Sequence, residues 1–210
     1  MIAGVVLAAG AGQRFGGAKQ LAPLDGRPLL EHALAAAARS RLATRYVVLG
    51  AGAERILASV DVHGHEVVLC PEWEEGLAAS LRAGVSAAQA GGASAVLITL
   101  GDQPRVSTAA IERILSARGG PGGASKAVRA SYADKPGHPT LLEDALFETV
   151  LALTGDEGAR GAFDPSFTHL VPCDDVADPT DVDVSADLAA LGQVVTASST
   201  PPEPRVRGDG

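Results

Sequence analysis

Short apolar runs alternate with longer stretches of helical periodicity over the first 118 residues. Residues 2–9 form an unbroken apolar run rich in Val and Leu, the pattern of a strand buried on both faces. The same pattern predicts strands at 45–49 (RYVVL), 66–69 and 95–100 (AVLITL), the last being the clearest in the chain. Between them, helices are predicted at 28–39, 53–59, 76–90 and 107–118, with Pro28 at a first helical position and Ser107 as an N-cap. Gly50-Ala51-Gly52 breaks the second strand, and GGPGG at 119–123 reads as a turn.

The pattern loosens beyond that turn. Strands are predicted at 126–132 and 169–171, a helix at 143–153 and a last helix at 185–191 capped by Ser185, while Gly137-His138-Pro139 reads as a turn holding a histidine. From Gly192 the apolar positions thin out. The end of the chain, SSTPPEPRVRGDG, reads as a disordered tail. The organisation expected is one domain over 1–191 and a tail over 192–210. Strands alternating with helices predict an α/β fold, a Rossmann-like three-layer sandwich with a mostly parallel sheet. Ligands of such sheets bind beyond the carboxyl ends of the strands. Residues 10–19, 74–80 and 101–102 would then share one edge.

Composition narrows the partners. With 17 Lys and Arg against 25 Asp and Glu, the net charge is −8. That is unsuited to tracking a nucleic-acid backbone, yet it permits one polyanionic ligand held by local amides and a few cations. No apolar stretch reaches the length of a membrane span, and no secretory signal precedes the first strand. The expected location is cytoplasmic, with no membrane or nucleic-acid partner. Cys70 and Cys173 form no C-x-x-C pair; two free thiols is the preferred reading and a disulfide the alternative. Aromatic residues make up 3% of the chain, so the core rests on Ala, Val, Leu and Ile.

The segment richest in chemistry is 7–21, LAAGAGQRFGGAKQL. It joins a buried strand, a loop of small residues and two cations, Arg14 and Lys19, which together suit a polyphosphate. A Walker loop fails on spacing, because Ala18 separates Gly17 from Lys19 and Gln20 stands where Ser or Thr is required. A dinucleotide fingerprint fails too, because Phe15 occupies its third glycine position, and no acid follows the second strand to hold a ribose. Asp102, in GDQP at the end of the clearest strand, reads either as a Mg²⁺ ligand or as a turn residue before Pro104. Asp181-Val182-Asp183 would present two carboxylates on one face of a short strand, and Asp183 with Asp102 would make a two-carboxylate metal site. Ser80 reads equally as a contact to a base edge and as a packing residue. Arg160, in GDEGAR, could clamp an anionic acceptor.

Taken in order, LAAG with Arg14, Gly16 and Lys19, PLDGRPLL, PEWEEGLAASLRAG, GDQP, GHP, GDEGAR and DVDVSADL resemble the MobA-like nucleotidyltransferases, and within them the molybdenum cofactor cytidylyltransferases. The resemblance spans roughly residues 1–191. It implies transfer of a nucleotidyl group, CMP from CTP, to the phosphate of molybdopterin, with Mg²⁺ as cofactor and pyrophosphate released. It places Leu7, Ala8, Ala9, Gly10 and Gly12 along the nucleotide, Arg14 and Lys19 on the triphosphate, and Gly76 and Ser80 at the base. Arg14, Lys19 and Asp102 would be catalytic, and Asp102 and Asp183 would bind metal. Trp73, His138 and Arg160 would face the acceptor. A molybdoenzyme or its maturation factor would be the protein partner. The usual last motif is closer to D-I-D-T-P-E-D, and here Val184, Ser185 and Ala186 replace its T-P-E. Competing readings are an NAD(P)H-dependent oxidoreductase acting on a planar heteroaromatic substrate, a pterin-cofactor chaperone, and a nucleotidyltransferase with a sugar or lipid-precursor acceptor.

Overall fold

A computed structural model describes residues 1–156 and 164–198, with the backbone alone for 192–198. Nine strands and six α-helices are present among them: β1 (Ile2–Leu7), β2 (Pro23–Leu24), β3 (Arg27–Pro28), α1 (Leu29–Ala38), β4 (Thr44–Leu49), α2 (Ala53–Leu57), β5 (Glu66–Leu69), α3 (Leu77–Ala90), β6 (Ala95–Leu100), α4 (Thr108–Ser116), β7 (Ala127–Tyr132), β8 (Lys135–Glu143), α5 (Phe147–Leu151), β9 (Thr168–Pro172) and α6 (Ser185–Ser198). Seven strands form the main sheet in the order β5-β4-β1-β6-β8-β7-β9. All its pairings are parallel except those of β8, which runs antiparallel to both β6 and β7.

Alternation along β1 sorts its side chains into two cores. Val6 packs with Leu34 of α1, Ile114 of α4, Val47 and Leu97. Val5 and Leu7 face the other way, against Leu81 and Val85 of α3, Phe147 of α5 and Ile98. The α/β sandwich is therefore built from apolar runs with a helix layer over each face. Leu34 is fully buried in the first core. Leu34→Ala is expected to cost about 2–5 kcal/mol and to lower Tm by roughly 2–4 °C for each kcal/mol; a shift under one degree would show that the site relaxes to fill the void.

Several elements differ from the sequence pattern. Pro28 is extended (φ −53°, ψ 140°) and caps α1 instead of starting it, because it pairs with Pro23 in a two-residue hairpin. The expected turn at Gly137-His138-Pro139 lies inside β8. Pro139 is tolerated because β6 pairs only Thr140 to Glu143 and because the β7 register shifts between Arg129 and Ser131, leaving it outside both ladders; Pro136, opposite Ser131, lies beyond the reach of the β6 ladder. The helix expected at 143–153 is shortened to α5, with a 3₁₀ turn at Asp144–Leu146 before it. The last helix runs on to Ser198. Both cysteines are buried free thiols. Among the described residues no helix is long and apolar enough to cross a membrane.

His65, in the turn before β5, is 5% exposed and its Nδ1 donates to the Val62 carbonyl at 2.8 Å. Burial lowers its pKa from 6.5 to about 4. Between those values the unfolded chain takes up a proton that the folded chain refuses, so stability falls as pH drops from 6.5 towards about 4. His65→Gln is expected to flatten that part of the curve of denaturation midpoint against pH; an unchanged slope would assign it to other groups.

Candidate active site

The carboxyl ends of β1, β4 and β6 meet at one edge of the sheet. There the Ala8 amide donates to the Val48 carbonyl at 3.0 Å, and the Gly101 amide donates to the Leu7 carbonyl at 2.9 Å. The chain leaving β1 folds back on itself at Gly12, which is left-handed (φ 64°) and accepts from the amides of Phe15 (2.9 Å) and Gly17 (3.2 Å). Gln20, 4% exposed, reaches under this loop and donates from Nε2 to the carbonyls of Ala8 (3.0 Å) and Gly10 (2.7 Å). With those carbonyls turned towards Gln20, the N–H groups of Gly10, Ala11, Gly12, Gln13 and Arg14 find no acceptor among the described residues. A run of free amides of this kind is a cradle for anions.

Opposite the loop stands a charge cluster. Lys19 Nζ lies 2.6 Å from Asp102 Oδ2, 3.1 Å from the Val182 carbonyl and 3.4 Å from Asp183 Oδ1. Arg14 reaches Asp183 Oδ2 at 3.1 Å while staying largely exposed. Asp183 is on a loop, not on the short strand expected. The loop is tied to the sheet by the Val182 amide, which donates to the Asp102 carbonyl at 3.0 Å. Asp187 caps the turn into α6, accepting from the amides of Asp183 and Val184 at 2.9 Å each. That cap keeps Asp183 in place although V-S-A replaces T-P-E before it. Gln103, 5% exposed, donates to Asp181 Oδ1 (2.9 Å) and to the Pro179 carbonyl (3.0 Å). Burial, with Asp102 and Asp183 nearby, pushes the Asp181 carboxyl above the usual aspartate range.

A cleft of about 600 Å³ opens between loop and cluster, within the range of nucleotide-sized ligand pockets. Leu7, Ala8, Ala9, Gly10, Gly12, Arg14, Lys19, Trp73, Gly76, Ser80, Asp102 and Asp183 all line it. Gly76 turns the chain into α3 with φ 109°, and a Cβ there would lie 2.8 Å from the Gly155 carbonyl oxygen. Ser80 is buried and hydrogen-bonds the Cys70 thiol. His138 is not among the lining residues; its Nδ1 donates to the Ile98 carbonyl at 3.3 Å within the sheet. Arg160 lies outside the described residues. Sequence reasoning assigned no part to Gln20, Gln103 or Asp156 and placed Glu74 only within segment 74–80 at the ligand edge; all but Gln103 line the cleft.

The pattern that defines the MobA-like NTP transferase domain matches residues 4–171. The chain belongs to this family. Nicotine blue oxidoreductase of Paenarthrobacter nicotinovorans is 34% identical over 199 residues, covering 90% of this chain and 96% of the relative. The crystal structure of Rv0371c from Mycobacterium tuberculosis H37Rv superposes with a TM-score of 0.80 at 32% identity, covering 91% of this chain and 97% of that one. A manganese complex of Rv0371c superposes with a TM-score of 0.76 at 28% identity, over 91% and 98% of the two chains.

Five carboxylates (Glu74, Asp102, Asp156, Asp181, Asp183) and two cations (Arg14, Lys19) border the cleft of this MobA-like domain. A triphosphate entering it meets net negative charge, which a divalent cation would offset. Among the described residues no three His, Cys, Asp or Glu side chains form a metal-holding group. Asp102 and Asp183 instead share one ammonium. Two hard carboxylates beside a phosphate cradle fit Mg²⁺, which takes one or two carboxylates and completes its shell with waters and phosphate oxygens.

Proposed function

We propose that this protein is a Mg²⁺-dependent nucleotidyltransferase that moves CMP from CTP onto the phosphate of molybdopterin and releases pyrophosphate. The observation that carries the reading is the row of free amides from Gly10 to Arg14 facing Lys19 and Asp102 across one cleft. Family membership supports the transferase class, and Ala9 in LAAG supports the cytidylyl branch.

In this reading the loop amides and Arg14 hold the triphosphate, and its charge draws Lys19 away from the two carboxylates. Asp102 and Asp183 would hold Mg²⁺, which would supply positive charge beside the triphosphate. An oxygen of the acceptor phosphate forms a bond to the α-phosphorus as the bond to the β-phosphate oxygen breaks. The electron pair leaves with pyrophosphate, whose growing charge Lys19 and Arg14 neutralise. The site's contribution is alignment and electrostatics. Trp73, at the rim, would flank the acceptor.

A second reading is favoured by one observation, the name of the oxidoreductase relative: an NAD(P)H-dependent reduction of a planar heteroaromatic compound on the same fold. Thermal-shift measurements with CTP, GTP, ATP, NADH and NADPH, each with and without Mg²⁺, separate the two. The transferase reading expects a Mg²⁺-dependent rise in Tm with CTP, larger than with the other nucleotides, about 2.7 kcal/mol at a hundred times Kd. A rise with NADPH that ignores Mg²⁺, and none with any triphosphate, overturns it in favour of the redox reading.

A further inference from the structure

A second cavity, of about 400 Å³, lies between the β2–β3 hairpin, α1 and the start of α4, and shares no lining residue with the cleft. Three guanidinium groups border it, those of Arg27, Arg39 and Arg105. Among the described residues Arg105 alone of the three is paired, with Asp25 Oδ2 at 3.0 Å, and it also donates to the Leu191 carbonyl at 3.3 Å. The side chains of Arg27 and Arg39 have neither a carboxylate nor a hydrogen-bond partner among the described residues. Three arginines with one carboxylate partner among the described residues thus border a single hollow in a chain of net charge −8. Arg27 and Arg39 are exposed, so water screens their mutual repulsion and leaves both charges available to an anion in the hollow.

Two further features suit an oxyanion. The N–H groups of Thr108 and Ala109 border the cavity without an acceptor among the described residues, since the Ser107 cap is spent on Ala110 at 3.1 Å. Ala36, Pro104, Val106 and Ala109 add an apolar wall, which a bare inorganic ion does not use. We infer that this cavity is a second oxyanion site, separate from the cleft, that takes the phosphoryl group of a small organic phosphate. The Arg27 and Arg39 guanidiniums and the two amides hold the phosphoryl oxygens, and the apolar wall receives the organic part. The loop that carries Arg105 also carries Asp102, so the two sites sit on one segment.

Backbone amide NMR on the intact chain tests this with glycerol 3-phosphate, inorganic phosphate, pyrophosphate and uncharged glycerol as probes. The amides of Thr108 and Ala109 report this cavity, and those of Gly10 to Arg14 report the cleft. Glycerol 3-phosphate is expected to shift the Thr108 and Ala109 signals in a saturable way, and the double variant Arg27→Gln/Arg39→Gln to weaken that response at least about tenfold while the cleft signals respond as before. An equal response in the double variant, no response to glycerol 3-phosphate, or an equal response to glycerol overturns the site. A stronger response to phosphate or pyrophosphate than to the monoester at matched ionic strength overturns the organic ligand and assigns the cavity to the free ion.

Discussion

Lys19→Ala is expected to lower CTP-dependent pyrophosphate release by about 10²–10³-fold under the proposed function, the usual loss when one preorganised charge aimed at a growing anion is removed. The same substitution is expected to raise the affinity of the nucleotide-free protein for Mg²⁺ or Mn²⁺. Both outcomes come from one geometry. Lys19 Nζ sits 2.6 Å from Asp102 and 3.4 Å from Asp183 with its side chain 15% exposed, so the ammonium is the resident counter-charge for two carboxylates. Without it those carboxylates, with Asp181 behind them, have only exposed Arg14 for company. A divalent cation then binds without competing against the lysine.

Asp102→Asn separates the two roles. It keeps the shape and leaves Lys19 paired with Asp183. Turnover is expected to fall by the same order as for Lys19→Ala, while metal affinity falls instead of rising. Steady-state pyrophosphate release and Mn²⁺ titration read the two quantities independently. Near-normal turnover in either variant sinks the transferase reading. Reduced turnover with unchanged metal affinity in both would keep Lys19 and Asp102 in the site and remove the metal from them.

How much of this could be read along the chain differs by region. The strands β1, β4 and β6 were legible because each is an apolar run bounded by glycine or charge, and parallel strands covered on both faces must look that way; β5 shows a similar short run although it is the edge strand, with Val67 and Leu69 exposed. The strand β8 was not legible. KPGHPTLLE carries two prolines and a glycine, which signal a turn locally, and only the register shift opposite Arg129 and Ser131 lets it pair centrally. The hairpin of β2 and β3 has two residues in each strand, too few for any periodicity to show.

The site divides in the same way. Gly10, Gly12, Arg14, Lys19 and Asp102 announce themselves because a strand ending in small residues and charge is a local signal. Gln20 and Gln103 do not. Their amides matter through carbonyls and carboxylates up to 78 positions away, Ala8 and Gly10 for one, Pro179 and Asp181 for the other. The Gln103 pairs lie beyond any local window, and the Gln20 pairs, though inside segment 7–21, form only because the loop folds back over the side chain. His138 shows the opposite case: a histidine between glycine and proline looks available, while the sheet places its Nδ1 beside the Ile98 carbonyl and the residue does not line the cleft.

Gly12→Val is expected to weaken CTP binding at least about tenfold while the chain still folds, and two milder glycine variants locate the cause. Gly12 has φ 64°, where a β-branched residue is strongly disfavoured. A Cβ there would overlap the Gly17 carbonyl oxygen and lie 3.3 Å from both the Lys19 amide nitrogen and Cγ. The loop must open to admit it, at a cost of roughly 1–3 kcal/mol of strain, and opening moves both the free amides and Lys19. Gly16→Ala carries a comparable backbone penalty at φ 91° but meets nothing within 4 Å, so it should lower Tm without much loss of affinity. Gly10→Ala has no positive φ and no neighbour within 4 Å in the free protein. A loss of CTP binding there, with Tm unchanged, can only come from a ligand that approaches the backbone itself. Measured by titration calorimetry, wild-type affinity in Gly12→Val would remove the loop from the nucleotide site.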